Sequence, residues 1–115
     1  MVLFAPRRGV MSKGLKAEKE REQYWKEIGY MVWRVPHAPY QKQDPFGVDI
    51  IAIDLLLRVV VWEQVKSYYG KRYISNYPKE VKKLKWLARA LPKGNIVQMA
   101  VKDTKTGEWK VEKIE

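Results

Sequence analysis

Cysteine is absent from this chain of 115 residues, and histidine occurs only once, at His37. The absence of cysteine excludes disulfide bonds and thiolate metal sites, and it leaves the redox compartment unspecified. A single histidine excludes metal sites that need several imidazoles. A bound metal would therefore depend mostly on oxygen ligands, which favours a hard cation such as Mg²⁺ or Mn²⁺.

Long apolar runs are also missing. Arg58 interrupts the longest apolar stretch, residues 55–62, which is far shorter than the roughly 18 residues that a membrane-spanning helix needs. Residues 1–8 lack the basic-then-apolar order of a signal peptide. The sequence therefore predicts a cytoplasmic protein without a membrane span.

Negative charge is scarce, because 13 Asp and Glu face 23 Lys and Arg, a net charge of +10. This surplus indicates an anionic partner, with nucleic acid first and an anionic membrane second. A surface rich in Lys and Glu, as in heat-adapted proteins, is an alternative source of charged residues. That alternative does not explain the excess of base over acid, so nucleic acid is the expected partner and a membrane is not.

The chain is expected to hold one folded domain. Residues 1–11 are predicted to be a flexible N-terminal arm, because the run Pro6-Arg7-Arg8-Gly9 disfavours regular structure. Residues 12–115 have the length for a single core. The predicted order of elements is α-β-β-β-α-β-β, which indicates an α/β fold with one mixed sheet flanked by helices.

Two helices are expected. The first is predicted over residues 12–28, with Ser12 as its N-cap, Gly29 at its end, and Leu15, Trp25 and Ile28 as its apolar stripe. The second is expected to begin after a capping Asn76, with Pro78 in its first turn. Its predicted buried stripe is Val81, Leu84, Leu87, Ala88 and Leu91.

Five strands are expected, at residues 30–35, 48–53, 58–67, 96–101 and 108–114. Residues 36–46, with three prolines, are expected to form a loop that is long enough to suggest a function. Residues 54–57 connect two strands without the usual turn residues. The last two strands are predicted to form a hairpin that turns through residues 103–107.

The candidate catalytic site joins two of these strands. Asp49 stands at the start of one apolar run, and Gln64 and Lys66 stand near the end of the next. If the strands are adjacent, their period-two alternation places Gln64 and Lys66 on one face and Val65 on the other. Asp49 and Gln64 are then candidate ligands of a divalent cation. Lys66 would activate or orient the attacking water or pair with phosphate oxygens.

Each of these residues also has a simpler explanation. Asp49 could be an acid at a strand start that solvent satisfies, and Lys66 could be an edge lysine that prevents strand pairing. Glu63 points to the opposite face in a regular strand, unless a bulge exchanges it with Gln64. Glu18 on the first helix is a further candidate ligand, or an acid that interacts with the helix dipole. The combined spacing favours the site.

A basic and aromatic segment follows the second strand of this pair. Its candidate DNA-binding residues are Lys71 and Arg72, which would hold phosphates, and Tyr68 and Tyr69, which would stack on bases. Packing of some of these tyrosines against the sheet is the alternative. Lys13, Arg34 and Lys42 are further candidate contacts to nucleic acid.

Several stretches together resemble the archaeal Holliday junction resolvases, from residue 12 to residue 114. The stretches that carry the resemblance are Lys-Gly-Leu-Lys-Ala-Glu-Lys-Glu at 13–20, Gly-Tyr-Met-Val-Trp-Arg at 29–34, Val-Asp-Ile-Ile-Ala at 48–52, Gln-Val-Lys at 64–66, and the closing hairpin at 96–101 and 109–114. The resemblance implies a restriction-endonuclease-like nuclease fold. It also implies a Mg²⁺-dependent homodimer that cleaves four-way junctions with Glu18, Asp49, residue 64 and Lys66.

The resemblance has one departure, because Gln64 stands where those resolvases carry glutamate. A Gln-x-Lys form is similar to that of the Mrr-type restriction nucleases. Three hypotheses therefore remain open: a structure-specific endonuclease that resolves branched DNA, an Mrr-like nuclease that acts on duplex DNA, and a non-catalytic DNA-binding protein on the same fold.

Overall fold

The structure is a computed structural model, and it describes residues 13–36 and 47–115. The predicted arm at residues 1–11, the Ser12 cap and most of the predicted loop, with His37 and Lys42, lie outside the described residues. The elements are α1 (Lys13–Glu27), β1 (Met31–Arg34), β2 (Ile50–Asp54), β3 (Val59–Tyr68), a 3₁₀ turn (Ile74–Asn76), α2 (Pro78–Ala90), β4 (Asn95–Asp103) and β5 (Trp109–Ile114). The predicted order of helices and strands is confirmed.

All five of these strands belong to one sheet, in the order β1-β2-β3-β4-β5. β1, β2 and β3 pair antiparallel, β3 and β4 pair parallel, and β4 and β5 pair antiparallel. Parallel neighbours need a crossover connection, and α2 supplies it between β3 and β4. The predicted mixed sheet flanked by helices is therefore confirmed.

The two helices cover opposite faces of the sheet. α1 buries Ala17 and Trp25 against residues of β2 and β3, while α2 buries Leu84 against residues of β4 and β5. Along β3, Val61 and Val65 belong to the α1 side and Trp62 packs on the α2 side. Neither helix in the described part of the chain is long and apolar enough to cross a membrane.

The buried face of α1 differs from the predicted stripe. Trp25 is buried as expected, but Leu15 and Ile28 are exposed, and the positions that pack inward are Ala17 and Arg21. Residues 17, 21 and 25 follow one another at intervals of four, so they lie on one side of the helix. The prediction was wrong because it searched for apolar residues, whereas an arginine occupies the centre of this face.

The end of α1 at Gly29 is confirmed. Gly29 has φ +94°, and its N–H donates to the Lys26 carbonyl at 3.0 Å. The Tyr30 N–H donates to the Trp25 carbonyl at 3.0 Å. This pair of hydrogen bonds is the Schellman arrangement, which needs a left-handed residue and therefore favours glycine.

The connection between β2 and β3 also has a clear cause. The Asp54 Oδ1 atom accepts hydrogen bonds from the Leu56 N–H at 3.0 Å and the Leu57 N–H at 3.2 Å. Arg58 completes the turn with φ +57°. An aspartate that binds the backbone two and three residues ahead replaces the missing Gly or Asn signal.

Asn76 does not cap α2 as predicted. Its Oδ1 atom instead accepts a hydrogen bond from the Tyr73 N–H at 2.8 Å, within the 3₁₀ turn, and Tyr77 is the N-cap residue. Pro78 is the first helical residue, as expected. The predicted stripe of α2 is confirmed, since Leu84 is fully buried and the other four residues pack against the same cluster.

A hydrogen-bonded ion pair lies at the centre of the α1 side. Glu63 is fully buried, and Arg21 donates to its two carboxylate oxygens at 2.8 and 2.7 Å. Trp25 Nε1 and Gln98 Nε2 donate to the same carboxylate at 3.2 and 2.6 Å. Four donors therefore compensate the buried charge, and they connect α1, β3 and β4.

Replacing Arg21 with alanine is expected to lower the free energy of unfolding by about 3–5 kcal/mol, because Glu63 would keep a buried charge without its main partner. Urea denaturation followed by circular dichroism measures the change. Lys26→Ala, which removes an exposed pair with Glu22, is the matched control and should cost less than about 1 kcal/mol. Equal stability of the two variants would contradict this role of the buried pair.

Candidate active site

Asp49 is attached to β3 through its backbone and its side chain. Its N–H donates to the Glu63 carbonyl at 2.9 Å, and its Oδ2 atom accepts a hydrogen bond from the Val65 N–H at 2.7 Å. The residue is 8% exposed. The structure therefore brings the Asp49 carboxylate to the backbone between Gln64 and Lys66.

The local structure at Asp49 corrects one boundary. The strand predicted from residue 48 begins at Ile50, and Asp49 lies in the bend that precedes it. The backbone ladder between β2 and β3 ends at the pair Ile50–Glu63. Beyond this pair the Asp49 side chain, and not a backbone carbonyl, accepts the next N–H of β3. The strand therefore ends where the carboxylate replaces the ladder.

Gln64 lies on the α2 side of the sheet, beside Met99 of β4. Its Oε1 atom is buried and has no hydrogen-bond partner in the described structure. A buried acceptor that lacks a donor costs about 1–3 kcal/mol. A cation or a water molecule at this atom would remove that cost, so the amide oxygen fits the predicted role of a metal ligand.

Lys66 shares this face and has an acidic neighbour that the sequence reasoning missed. Its Nζ atom lies 3.2 Å from Glu80 Oε2 and 5.6 Å from the centre of the Tyr77 ring. Burial raises the pKa of Glu80, but a hydrogen bond from its own backbone and the Lys66 ammonium outweigh burial and hold that pKa below its ordinary value. Glu80 is in the first turn of α2, where an acid is usually explained by the helix dipole.

The alternative in which a bulge exchanges Glu63 and Gln64 is wrong. Pairing of β3 with β4 is continuous from Val60 to Tyr68, and pairing with β2 is continuous up to Glu63. Glu63 therefore faces α1, as expected for a regular strand, where Arg21 holds it. A bulge would have to remove this carboxylate from all of its donors.

Glu18 lies on α1 and reaches the sheet through an arginine of β1. Arg34 is 3.6 Å from Glu18 and 3.7 Å from Glu22, so two carboxylates offset its charge. Residues 13–36 and 47–115 contain no group of three or more His, Asp or Glu side chains that could hold a metal. The role of Glu18 as a ligand stays a prediction.

The predicted DNA-binding segment forms a stack of basic and aromatic side chains. The Arg72 guanidinium lies 3.7 Å from the centre of the Tyr68 ring and 5.7 Å from that of Tyr77. The Tyr77 ring thus lies near both Arg72 and Lys66. This contact connects the basic segment to the candidate site.

A cavity of about 220 Å³ adjoins this stack. Its lining has basic groups, acidic groups and aromatic rings, from Lys71, Arg72 and Lys110, from Asp103 and Glu108, and from Tyr73 and Trp109. Tyr69 is exposed near the end of β3. Of the remaining predicted contacts, the Lys13 side chain and Lys42 lie outside the described residues, and Arg34 is occupied by Glu18 and Glu22.

Comparison with known proteins supports the fold. The structure is similar to that of Hjc from Archaeoglobus fulgidus, a Holliday junction resolvase from an archaeal hyperthermophile, with a TM-score of 0.65 and 24% sequence identity. The match covers 88% of this chain and 77% of that chain. No protein-family model matches the sequence, and a search of curated proteins finds no significant match. The restriction-endonuclease-like fold class predicted from the sequence is therefore confirmed.

Asp49→Ala is expected to lower the free energy of unfolding by about 1–3 kcal/mol, because the Val65 N–H would lose its acceptor in a buried position. Asp49→Asn should cost clearly less, since the amide oxygen of asparagine can accept the same hydrogen bond. Chemical denaturation of the two variants measures the difference. If both lose the same stability, the hydrogen bond is not what joins Asp49 to β3.

Proposed function

We propose that this protein is a metal-dependent DNA endonuclease that cleaves branched DNA such as four-way junctions. The observation that carries the proposal is the hydrogen bond from Val65 to Asp49, which joins an acid to the Gln64–Lys66 segment. The likeness of the fold to a Holliday junction resolvase adds support. Hydrolysis of a phosphodiester bond is the reaction that this set of residues suits.

Asp49 and Gln64 would hold Mg²⁺ or Mn²⁺, and Glu18 would contribute directly or through water. The metal would lower the pKa of a bound water molecule and offset the charge of the transition state. Lys66 would orient the attacking water or pair with a phosphate oxygen, since its ammonium group is a compact donor of three hydrogen bonds. Glu80, at 3.2 Å, restricts where that ammonium can lie.

DNA would approach along the basic and aromatic side of the site. The net charge of +10 provides general attraction to phosphates. With the scissile phosphate at Lys66, Arg72, which also lies near the Tyr77 ring, would contact a further phosphate of the same strand. The exposed rings of Tyr68 and Tyr69 would stack on unpaired or distorted bases.

A homodimer is the expected working form. Two matched cuts in a four-way junction suit an enzyme with two-fold symmetry, because each subunit then meets an equivalent strand. Selection of branched over linear DNA would follow from the spacing of the two sites.

A non-catalytic DNA-binding protein is the second candidate. The observation that favours it is that Glu63 faces α1 and is held there by Arg21. The side chain of β3 that faces α2 next to Asp49 is therefore that of the neutral Gln64. This candidate predicts salt-dependent DNA binding that needs no metal.

Incubation with Mg²⁺ and labelled DNA is expected to give cleavage of a four-way junction. Asp49→Asn and Lys66→Ala should reduce the rate by about 100-fold or more, the scale for loss of one group that stabilises the transition state. Lys93→Ala is the matched control. It removes a charge from the turn before β4, where Gly94 binds Val60 at the end of β3 that is far from Lys66. It should retain the wild-type rate.

The outcome also separates the three hypotheses. Absence of cleavage of any DNA, with the wild type equal to Asp49→Asn and Lys66→Ala, would contradict the catalytic function and favour the binding protein. Equal cleavage of linear duplex and junction would favour an Mrr-like nuclease. Sedimentation with and without the junction tests the dimer.

Arg72→Ala is expected to weaken DNA binding in a salt-dependent way. Loss of one phosphate contact should reduce the slope of log affinity against log salt concentration by about 1. Fluorescence anisotropy with a labelled junction at several salt concentrations measures this slope. Lys93→Ala is again the control, and an Arg72→Ala slope equal to that of the control would exclude Arg72 from the interface.

A further inference from the structure

The proposed metal site has little negative charge for a divalent cation. Asp49, in the bend before β2, contributes one carboxylate beside β3, and Gln64 contributes a neutral amide oxygen. Glu63 is on the opposite face with Arg21, and Glu18 is paired with an arginine of β1. The number of charged oxygen ligands sets much of the affinity for a hard cation. The site therefore needs a further carboxylate.

The middle of α2 lies beside Gly47, two residues before Asp49. A Cβ atom placed on Gly47 would be 3.5 Å from Lys83 Cβ and 3.8 Å from Leu84 Cδ2. Glu80 precedes these two residues by three and four positions, so it lies on the same side of the helix. Glu80 is therefore one helical turn before the part of α2 that contacts Gly47, on the side of the helix that faces the sheet.

The contact with Lys66 shows where Glu80 lies relative to β3. Lys66 Nζ is 3.2 Å from Glu80 Oε2, and Lys66 shares a face of β3 with Gln64, whose Oε1 atom is buried and has no partner in the described structure. Three segments of the chain therefore converge: the bend with Asp49, the end of β3 and the first turn of α2. Glu80 is the acidic residue that α2 brings to this group of side chains.

We propose that Glu80 is a further acidic ligand of the divalent cation, besides Asp49 and the predicted Glu18, and supplies from α2 the charge that Gln64 lacks. The inference rests on the proposed function, because it concerns the same metal site. A carboxylate has two oxygens with about four acceptor positions. Glu80 can therefore keep its contact with Lys66 and still offer oxygen to a cation.

A purely structural role makes different predictions. If Glu80 only holds Lys66 in place, then Glu80→Gln and Lys66→Ala affect the same step, and neither changes the affinity for metal. If Glu80 is a ligand, Glu80→Gln weakens metal binding and Lys66→Ala does not. Metal affinity without DNA separates the two roles, because it does not depend on activity.

Titration calorimetry of the full chain with Mn²⁺, and with Ca²⁺ as a second hard cation, provides the test. Glu80→Gln is expected to weaken Mn²⁺ binding about 10-fold or more, because one charged ligand is lost. Gln64→Glu added to Glu80→Gln should restore most of the affinity, since it returns a carboxylate to the site from β3. Glu112→Gln, an acid of β5 that also has a lysine neighbour, is the matched control and should bind as the wild type does.

Three results would decide the matter, with thermal unfolding used to confirm that each variant folds. Wild-type affinity in Glu80→Gln would overturn the inference and leave the proposed nuclease function intact. Loss of affinity in Glu80→Gln with rescue by Gln64→Glu, but no cleavage of DNA by the wild type, would support the inference and contradict the nuclease function. Failure of the wild type to bind Mn²⁺ would overturn both.

Discussion

The buried ion pair between Arg21 and Glu63 determines which way the side chains of β3 point. Glu63 is fully buried and receives four hydrogen bonds from residues of α1 and β4. A shift of β3 by one residue would move this charge to the other face and leave Arg21 buried without a partner. The pair therefore selects one register, and that register puts Gln64 and Lys66 on the side of α2.

Asp49 connects the fold and the site through one carboxylate. Its Oδ2 atom completes the hydrogen bonding of β3 beyond the last ladder pair, at Val65. The same group is the strongest candidate for a metal ligand. A substitution that removes the side chain therefore affects the stability of the sheet end as well as any chemistry there, whereas Asp49→Asn changes mainly the charge.

The site draws on elements that are far apart in sequence. In the proposed site β3 would contribute Gln64 and Lys66, the bend before β2 would contribute Asp49, and α2 would contribute Glu80. The parallel pairing of β3 and β4 requires the crossover that carries α2. Topology thus explains why an acid from this helix can reach a site that otherwise belongs to two antiparallel strands.

Local patterns predicted much of the fold. Alternation along residues 58–67 and the spacing of apolar residues in α2 are properties of neighbouring residues, and glycine at position 29 meets a local need for a left-handed conformation. The same alternation correctly assigned Glu63 and Gln64 to opposite faces. These predictions succeeded because period and turn geometry depend on a few consecutive residues.

Long-range packing decided the rest. Arg21 belongs to the buried face of α1 only because Glu63, 42 residues away, accepts its hydrogen bonds, and no pattern within the helix indicates this. Glu80 likewise has a partner, Lys66 of β3, that its position in the first turn of α2 does not reveal. The sequence by itself determined the order of the elements, the buried face of α2, the alternation along β3 and the basic charge. Only the tertiary structure decided which acids meet Lys66, because that depends on how α2 crosses the sheet.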